Sequence, residues 1–172
     1  NTSGMGDPDT MSIILNGPEA TDRLGRELAA RLGAGDVILL EGSVGAGKTH
    51  LARAIIQARL ARHGLAEDVP SPTFTLVQTY DTGSDVIVHA DLYRLSSPGE
   101  VGELGLADAF GTAITLVEWP DRLGPDKPKG ALTVRLGSTA DGEARTATFG
   151  PMPSDWSRRL SSLWPGYQAA DA

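Results

Sequence analysis

Val37-Ile-Leu-Leu-Glu-Gly-Ser-Val-Gly-Ala-Gly-Lys-Thr49 is the stretch on which the fold turns. Its first four residues are an unbroken apolar run, short enough for a strand buried on both faces. Gly42 to Thr49 then spells G-x-x-x-x-G-K-[ST], and an alanine-rich helical pattern, Leu51 to Leu60, follows at once. Strand, glycine loop and helix in that order make a phosphate-binding loop. The backbone N–H groups of Gly45, Ala46, Gly47, Lys48, Thr49 and His50 are expected to converge on phosphate oxygens. Lys48 is expected to reach the β- and γ-phosphates, and the Thr49 hydroxyl to face Mg²⁺. No [NT]-K-x-D segment for reading guanine follows; the nearest string, Pro125-Asp-Lys-Pro128, does not fit, which favours ATP over GTP.

At 172 residues the chain has the length of one domain, large enough for a proper core but too short for a P-loop domain plus much else. Residues 1–11 are polar and aperiodic and are expected to be disordered; 12–165 are expected to form the P-loop domain, and 166–172 a flexible tail. The absence of cysteine excludes a disulfide framework, a thiolate metal site and a thiol nucleophile. No apolar run approaches the ~20 residues of a membrane span, and the N-terminus lacks a signal-peptide layout. A soluble, cytoplasmic protein without membrane contact is expected. A net charge of −7 argues against broad, charge-driven nucleic-acid binding.

Outward from the loop, Ser12 to Leu15 reads as a strand. A helix is expected from Pro18, with Leu24, Leu28 and Leu32 on its buried face and Gly33 and Gly35 ending it. Downstream, Pro70 and Pro72 forbid regular helix. Thr73 to Tyr80 and Asp85 to Ala90, around Asp81-Thr-Gly-Ser84, read as a hairpin. A helix is expected to enter at Ser96 to Glu100 and to carry Val101 and Leu104, weakened by Gly99, Gly102 and Gly105. Ala113 to Val117 reads as a buried strand, Gly124 to Gly130 as an exposed loop, and Ala131 to Leu136 with Arg145 to Phe149 as a second hairpin. Ser154 is placed to cap a last helix carrying Trp156 and Leu160. Two hairpins added to a P-loop core predict an α/β fold with a mixed parallel and antiparallel sheet flanked by helices.

Phosphate binding becomes hydrolysis or transfer only when an acid on a neighbouring strand holds the metal or orients the attacking group. Val86-Ile-Val-His89-Ala-Asp91 and Ile114-Thr-Leu-Val-Glu118 both end an apolar run in a carboxylate, where ligands collect in an open α/β sheet. Spacing does not decide which of Asp91 and Glu118 serves Mg²⁺ and which serves water. His89 shares a strand face with Asp91, either to hydrogen-bond toward the site or as a structural histidine. Arg94 is a candidate for a γ-phosphate or a partner's acidic surface, against an ordinary surface arginine. Trp119 either packs near the nucleotide or fills core. Ser71-Pro72-Thr73 lies where nucleotide-sensing switch segments occur, or is a rigid proline turn.

Taken in order, Thr21-x-x-Leu-Gly25, Gly42 to Thr49, Ser71-Pro-Thr-Phe-Thr-Leu76, His89-Ala-Asp-Leu-Tyr-Arg94 and Glu118-Trp119 resemble the TsaE (YjeE) family. These are small bacterial ATPases that work with TsaD and TsaB in making N6-threonylcarbamoyladenosine (t6A37) on tRNA. The resemblance runs from about Ile13 to Leu136. It implies Lys48 on the phosphates, Thr49 and Glu118 at Mg²⁺, Asp91 as the acid for hydrolysis, Ser71 to Thr75 as a switch-like loop, and Thr21 near the adenine end. It also implies that hydrolysis resets a complex with TsaD and TsaB homologues, tRNA being met only through that complex. Where the family usually has Asp-Leu inside the loop, this chain has Ser43-Val44. Two other readings share the loop: a small-molecule kinase, which generally adds an arginine-rich lid, and a nucleotide-gated interaction module without turnover.

Overall fold

The computed structural model describes residues 9–72, 76–95 and 98–170. Seven strands form one sheet: β1 (Met11–Leu15), β2 (Val37–Glu41), β3 (Val77–Asp81), β4 (Val86–Asp91), β5 (Ile114–Glu118), β6 (Leu132–Ser138) and β7 (Arg145–Phe149). Their order across the sheet is β1-β7-β6-β2-β5-β4-β3. The four inner strands β6, β2, β5 and β4 run parallel. β3 and β7 return antiparallel beside β4 and β6, and β1 pairs antiparallel with β7. The sheet is therefore mixed, as the hairpins predict, and β2 lies at its centre.

Alternation along the strands divides the core in two. Ile38 and Leu40 of β2, with Ile87, Ile114, Leu116 and Val134, face α1 (Pro18–Ala29) and α2 (Lys48–Ala61). Val37 and Leu39, with Val88, Ala90 and Val117, face a thinner layer that includes Val101, Leu106 and Leu123. A strand packed on both sides has no solvated face, hence the unbroken apolar run that marks β2. The helices α1 and α2 touch closely at Gly25, where a Cβ would lie 2.4 Å from Ala54 Cβ. No helix among the described residues is long and apolar enough to cross a membrane.

Several elements differ from expectation. α1 stops at Ala29, before Gly33, because buried Arg59 reaches over from α2 and donates to the carbonyls of Ala29 and Leu32 at 2.9 and 3.0 Å. The helix expected from Ser96 is a 3₁₀ helix, Pro98–Leu104, followed by the separate α3 (Leu106–Thr112); Gly105, at φ 75°, breaks the two apart. Ser96 and Ser97 lie outside the described residues, as do Thr73, Phe74 and Thr75 at the expected start of β3. Part of the expected exposed loop at 124–130 belongs to a 3₁₀ helix, Pro120–Asp126, anchored by buried Leu123. Ser154 caps nothing: it is the first residue of α4 (Ser154–Leu160), behind Pro153. In α4, Trp156 is buried and donates its indole N–H to Gly130 O at 2.8 Å. Beyond a 3₁₀ turn at Trp164–Gly166, the tail lies along β1, with Ile14 N–H donating to Gln168 O and Ala170 N–H to Ser12 O, both at 2.9 Å.

Candidate functional site

Parallel strands deliver their C-terminal ends to one edge of the sheet, and four such ends meet here. The glycine loop leaves β2 at Gly42, and the neighbouring ends of β4 and β5 carry Asp91 and Glu118, which are direct register partners. The cleft at this edge has a volume of about 410 Å³ and is lined by Gly45, Lys48, Thr49, His50, Asp91 and Glu118, with Ser71, Tyr93, Trp119 and Arg145 around them. Two glycines of the loop are required by conformation, and Gly42 by backbone crowding as well, whereas the atoms nearest Gly47 are the movable end of one side chain. At Gly42, φ 141°, a Cβ would lie 2.6 Å from Leu136 O, and at Gly47, φ 105°, 2.4 Å from Arg145 Nη1. Of the expected backbone donors, Ala46 already gives its N–H to Ser43 O at 3.0 Å.

Thr49, first turn of α2, and Glu118, end of β5, meet directly: the Thr49 hydroxyl donates to the carboxylate at 2.8 and 3.0 Å. His89 braces the same carboxylate from β4, its Nε2 lying 2.7 Å from Glu118 Oε2, with both side chains buried. The two-residue period of β4 puts Ile87, His89 and Asp91 on the α2 side, so His89 faces into the site and not into the thinner layer. Its Nδ1 is buried without a partner among the described residues. Asp91 is buried too and accepts the Tyr93 N–H at 3.0 Å. The Asp91 N–H donates to Leu76 O at 2.8 Å, and Leu76 N–H to Pro72 O at 2.7 Å. Leu76 is thereby joined both to Pro72 and to the acid-bearing strand.

Lys48 is buried at the base of the cleft. Its Nζ donates to Gly42 O at 2.7 Å and Ser43 O at 2.9 Å, and stands 4.1 Å from the centre of the Trp119 ring. Burial lowers the Lys48 ammonium from its ordinary value, against the opposing pull of Glu118 and Asp91. Trp119 is held in a left-handed backbone conformation, φ 60°, and its ring lies 4.8 Å from that of Tyr93. A non-glycine residue in that region is uncommon, and here it turns the indole toward the cleft. Trp119 thus lines the cleft and also packs, partly buried, against the core layer on the second face of the sheet.

The remaining expected residues fall at different distances from this centre. His50 lines the cleft and bonds Asp22 of α1 at 2.8 Å. Thr21 is buried in α1, its hydroxyl without a partner among the described residues, and it is not among the cleft-lining residues. Arg94 is exposed and does not line the cleft. Sequence reading missed Arg145, which opens β7. Because β7 runs antiparallel to β6, its first residue arrives at the same sheet edge as the ends of β2, β4 and β5.

No three His, Asp or Glu side chains cluster as a self-sufficient cation cage among the described residues. One hydroxyl and one carboxylate, beside a buried lysine and a phosphate loop, instead fit Mg²⁺, which keeps several waters and takes its other ligands from phosphate.

A family model described as threonylcarbamoyl adenosine biosynthesis protein TsaE matches residues 15–147. The tRNA threonylcarbamoyladenosine biosynthesis protein TsaE of Rickettsia felis is 44% identical over 111 residues, covering 63% of this chain and 62% of that protein. The chain thus spans less than two thirds of that relative's length. The protein of the same description from Treponema pallidum is 31% identical over 133 residues, 77% of this chain and 95% of that one. In three dimensions the crystal structure of Bacillus subtilis YdiB aligns with a TM-score of 0.74 at 26% identity, covering 91% of this chain and 95% of that chain.

Proposed function

Since the chain belongs to the family of the threonylcarbamoyl adenosine biosynthesis protein TsaE, we propose that it binds and hydrolyses ATP with Mg²⁺ in the making of N6-threonylcarbamoyladenosine on tRNA. The observation that carries this reading is the bond between the Thr49 hydroxyl and the Glu118 carboxylate beside Lys48, in a glycine-loop cleft that also holds Asp91. Bound Mg²⁺ and ATP supply the electrophilic phosphorus and the neutralising charge. The chain supplies the rest.

Lys48 holds phosphate oxygens and releases its loop carbonyls to do so. Thr49 and Glu118 hold the cation, with His89 Nε2 fixing the carboxylate's orientation. Asp91, two residues beyond His89 on the same face, is the acid whose carboxylate accepts a proton from the attacking water. His50, tied to Asp22 next to Thr21, is assigned to the nucleoside end. Ser71, which lines the cleft, is the residue assigned to register the γ-phosphate and pass its loss to the surface. Hydrolysis then loosens the protein from TsaD- and TsaB-type partners, and tRNA is met only through them.

Asp91→Ala tests the assignment. The variant should bind ATP as the parent does but fail to support repeated rounds of tRNA modification with the partners present; full multiple-turnover activity would remove Asp91 from hydrolysis. Release of phosphate with water as sole acceptor separates this reading from a kinase, and single-turnover hydrolysis with partners present separates it from a gate without turnover.

A further inference from the structure

Arg145 has a position that the functions given above do not use. Its side chain is half-buried in the wall of the cleft, and among the described residues its guanidinium makes neither a hydrogen bond nor an ion pair. Arg53, Arg59 and Arg159, also withdrawn from water, are matched: Arg53 donates to Val69 O, Arg59 to Asp85, Arg159 to Asp36. Arg122 shares the lack, its Nε buried without a partner among the described residues, but it does not line the cleft. Taking a cation partly out of water without an anion is unfavourable, and such a group calls for a ligand of opposite charge.

Where the guanidinium lies says which ligand. A Cβ on Gly47 would stand 2.4 Å from Arg145 Nη1 and 3.2 Å from Cζ, so the guanidinium rests directly on the backbone of the phosphate loop, one residue before Lys48. The acids are on the other flank. β5 and β4, carrying Glu118 and Asp91, lie to one side of β2, whereas β7 lies to the other, beyond β6. Lys48 is thus faced by two carboxylates, whereas among the described residues no carboxylate pairs with Arg145, which leaves the Arg145 wall able to attract an anion laid along the loop. The planar fork of a guanidinium matches phosphate oxygens two at a time.

We propose that Arg145 is a phosphate ligand of the bound nucleotide, closing the cradle from the flank opposite Asp91 and Glu118. This rests on the nucleotide-binding reading above. The test is calorimetric titration of the whole chain with Mg²⁺ and either ATP or inorganic triphosphate, comparing the parent with Arg145→Gln and Arg145→Lys. The Gln variant should weaken both ligands alike, by roughly 10- to 100-fold, and the Lys variant should recover part of the loss. Binding of both by the Gln variant within about twofold of the parent would overturn the inference while leaving the ATP site standing. A loss with ATP but not with triphosphate would assign the contact to base or ribose and overturn it also. If the parent itself bound no ATP, the nucleotide reading would fall first and this inference with it. Should the Gln variant not fold, the Arg145 Nε–H resonance of the parent, assigned by its absence from Arg145→Lys, replaces it. A shift on adding triphosphate supports the contact, and an unmoved resonance refutes it.

Discussion

Gly25→Ala is a one-carbon test of how tightly the phosphate loop is mounted. The new Cβ would lie 2.4 Å from Ala54 Cβ and 3.1 and 3.2 Å from backbone atoms of Ala54 and Ile55. To restore ordinary contact, α1 must retreat from α2 by about 1 Å, and a gap of that size forfeits a quarter to a half of each neighbouring dispersion contact. Leu24 and Leu28 on the same face of α1 and Leu51 and Ile55 on α2 are fully buried, so none of them is free to follow. Overpacking of this kind costs about 1–3 kcal/mol. Against it stands the helix propensity of alanine, better than glycine by about 1 kcal/mol. Packing wins, and the net loss should be about 1 kcal/mol, a fall in melting temperature of roughly 2–4 °C by calorimetry. Ala54→Gly alone should cost about 1 kcal/mol of helix propensity, yet in the Gly25→Ala chain it removes the clash and should return stability close to the parent's, a coupling of about 2 kcal/mol in a double-mutant cycle. A Gly25→Ala protein as stable as the parent would mean that the helices have slack, and the argument from close contact would be refuted.

Arg59→Ala strands the carbonyls of Ala29 and Leu32 and leaves Asp85 without its partner, and should cost about 3 kcal/mol by denaturant midpoint; an unchanged midpoint would show the network to be dispensable. Glu118→Gln retains a hydrogen-bonding group toward Thr49 and His89 but not the charge, so the fold should persist while Mg²⁺ ceases to strengthen ATP binding; titration with and without the cation reads this directly. Tyr167, sheltered by burial and bonded to Glu27, has its phenol pKa raised above the ordinary 10.0. The unfolded chain therefore loses that proton first, and the contribution of Tyr167 to stability, intact below pH 10.0, declines as pH rises above it. Thermal melts should show a shallower alkaline decline in Tyr167→Phe, and identical slopes would exclude the group as the cause.

The legibility of the site in the sequence follows the reach of each signal. Glu118 and Asp91 were visible because an apolar run that ends in a carboxylate states both its strand and its end, and His89 because alternation fixes a face. The loop was visible because glycine, lysine and threonine occupy fixed offsets. Arg145 was not, since its place in the cleft depends on β7 lying beside β6 and β6 beside β2, a matter of strand order to which local pattern is blind. Thr21 came into view only through the family resemblance, since nothing in the local pattern of α1 marks its hydroxyl. The layer under the second face of the sheet was read least well, because the glycines between residues 99 and 111 hold no period and permit 3₁₀ turns and a short helix equally.

Lys48 has a consequence for selectivity. Its ammonium is already shared by two loop carbonyls and an indole face, so an incoming phosphate exchanges contacts and does not merely add them. For a single phosphate the exchange is near even and the return small. A chain of phosphates draws on further groups along the loop while giving up no more, so affinity should climb steeply with each phosphate in the chain. Discrimination between short and long polyanions is thus written into the posture of one side chain before any ligand is chosen.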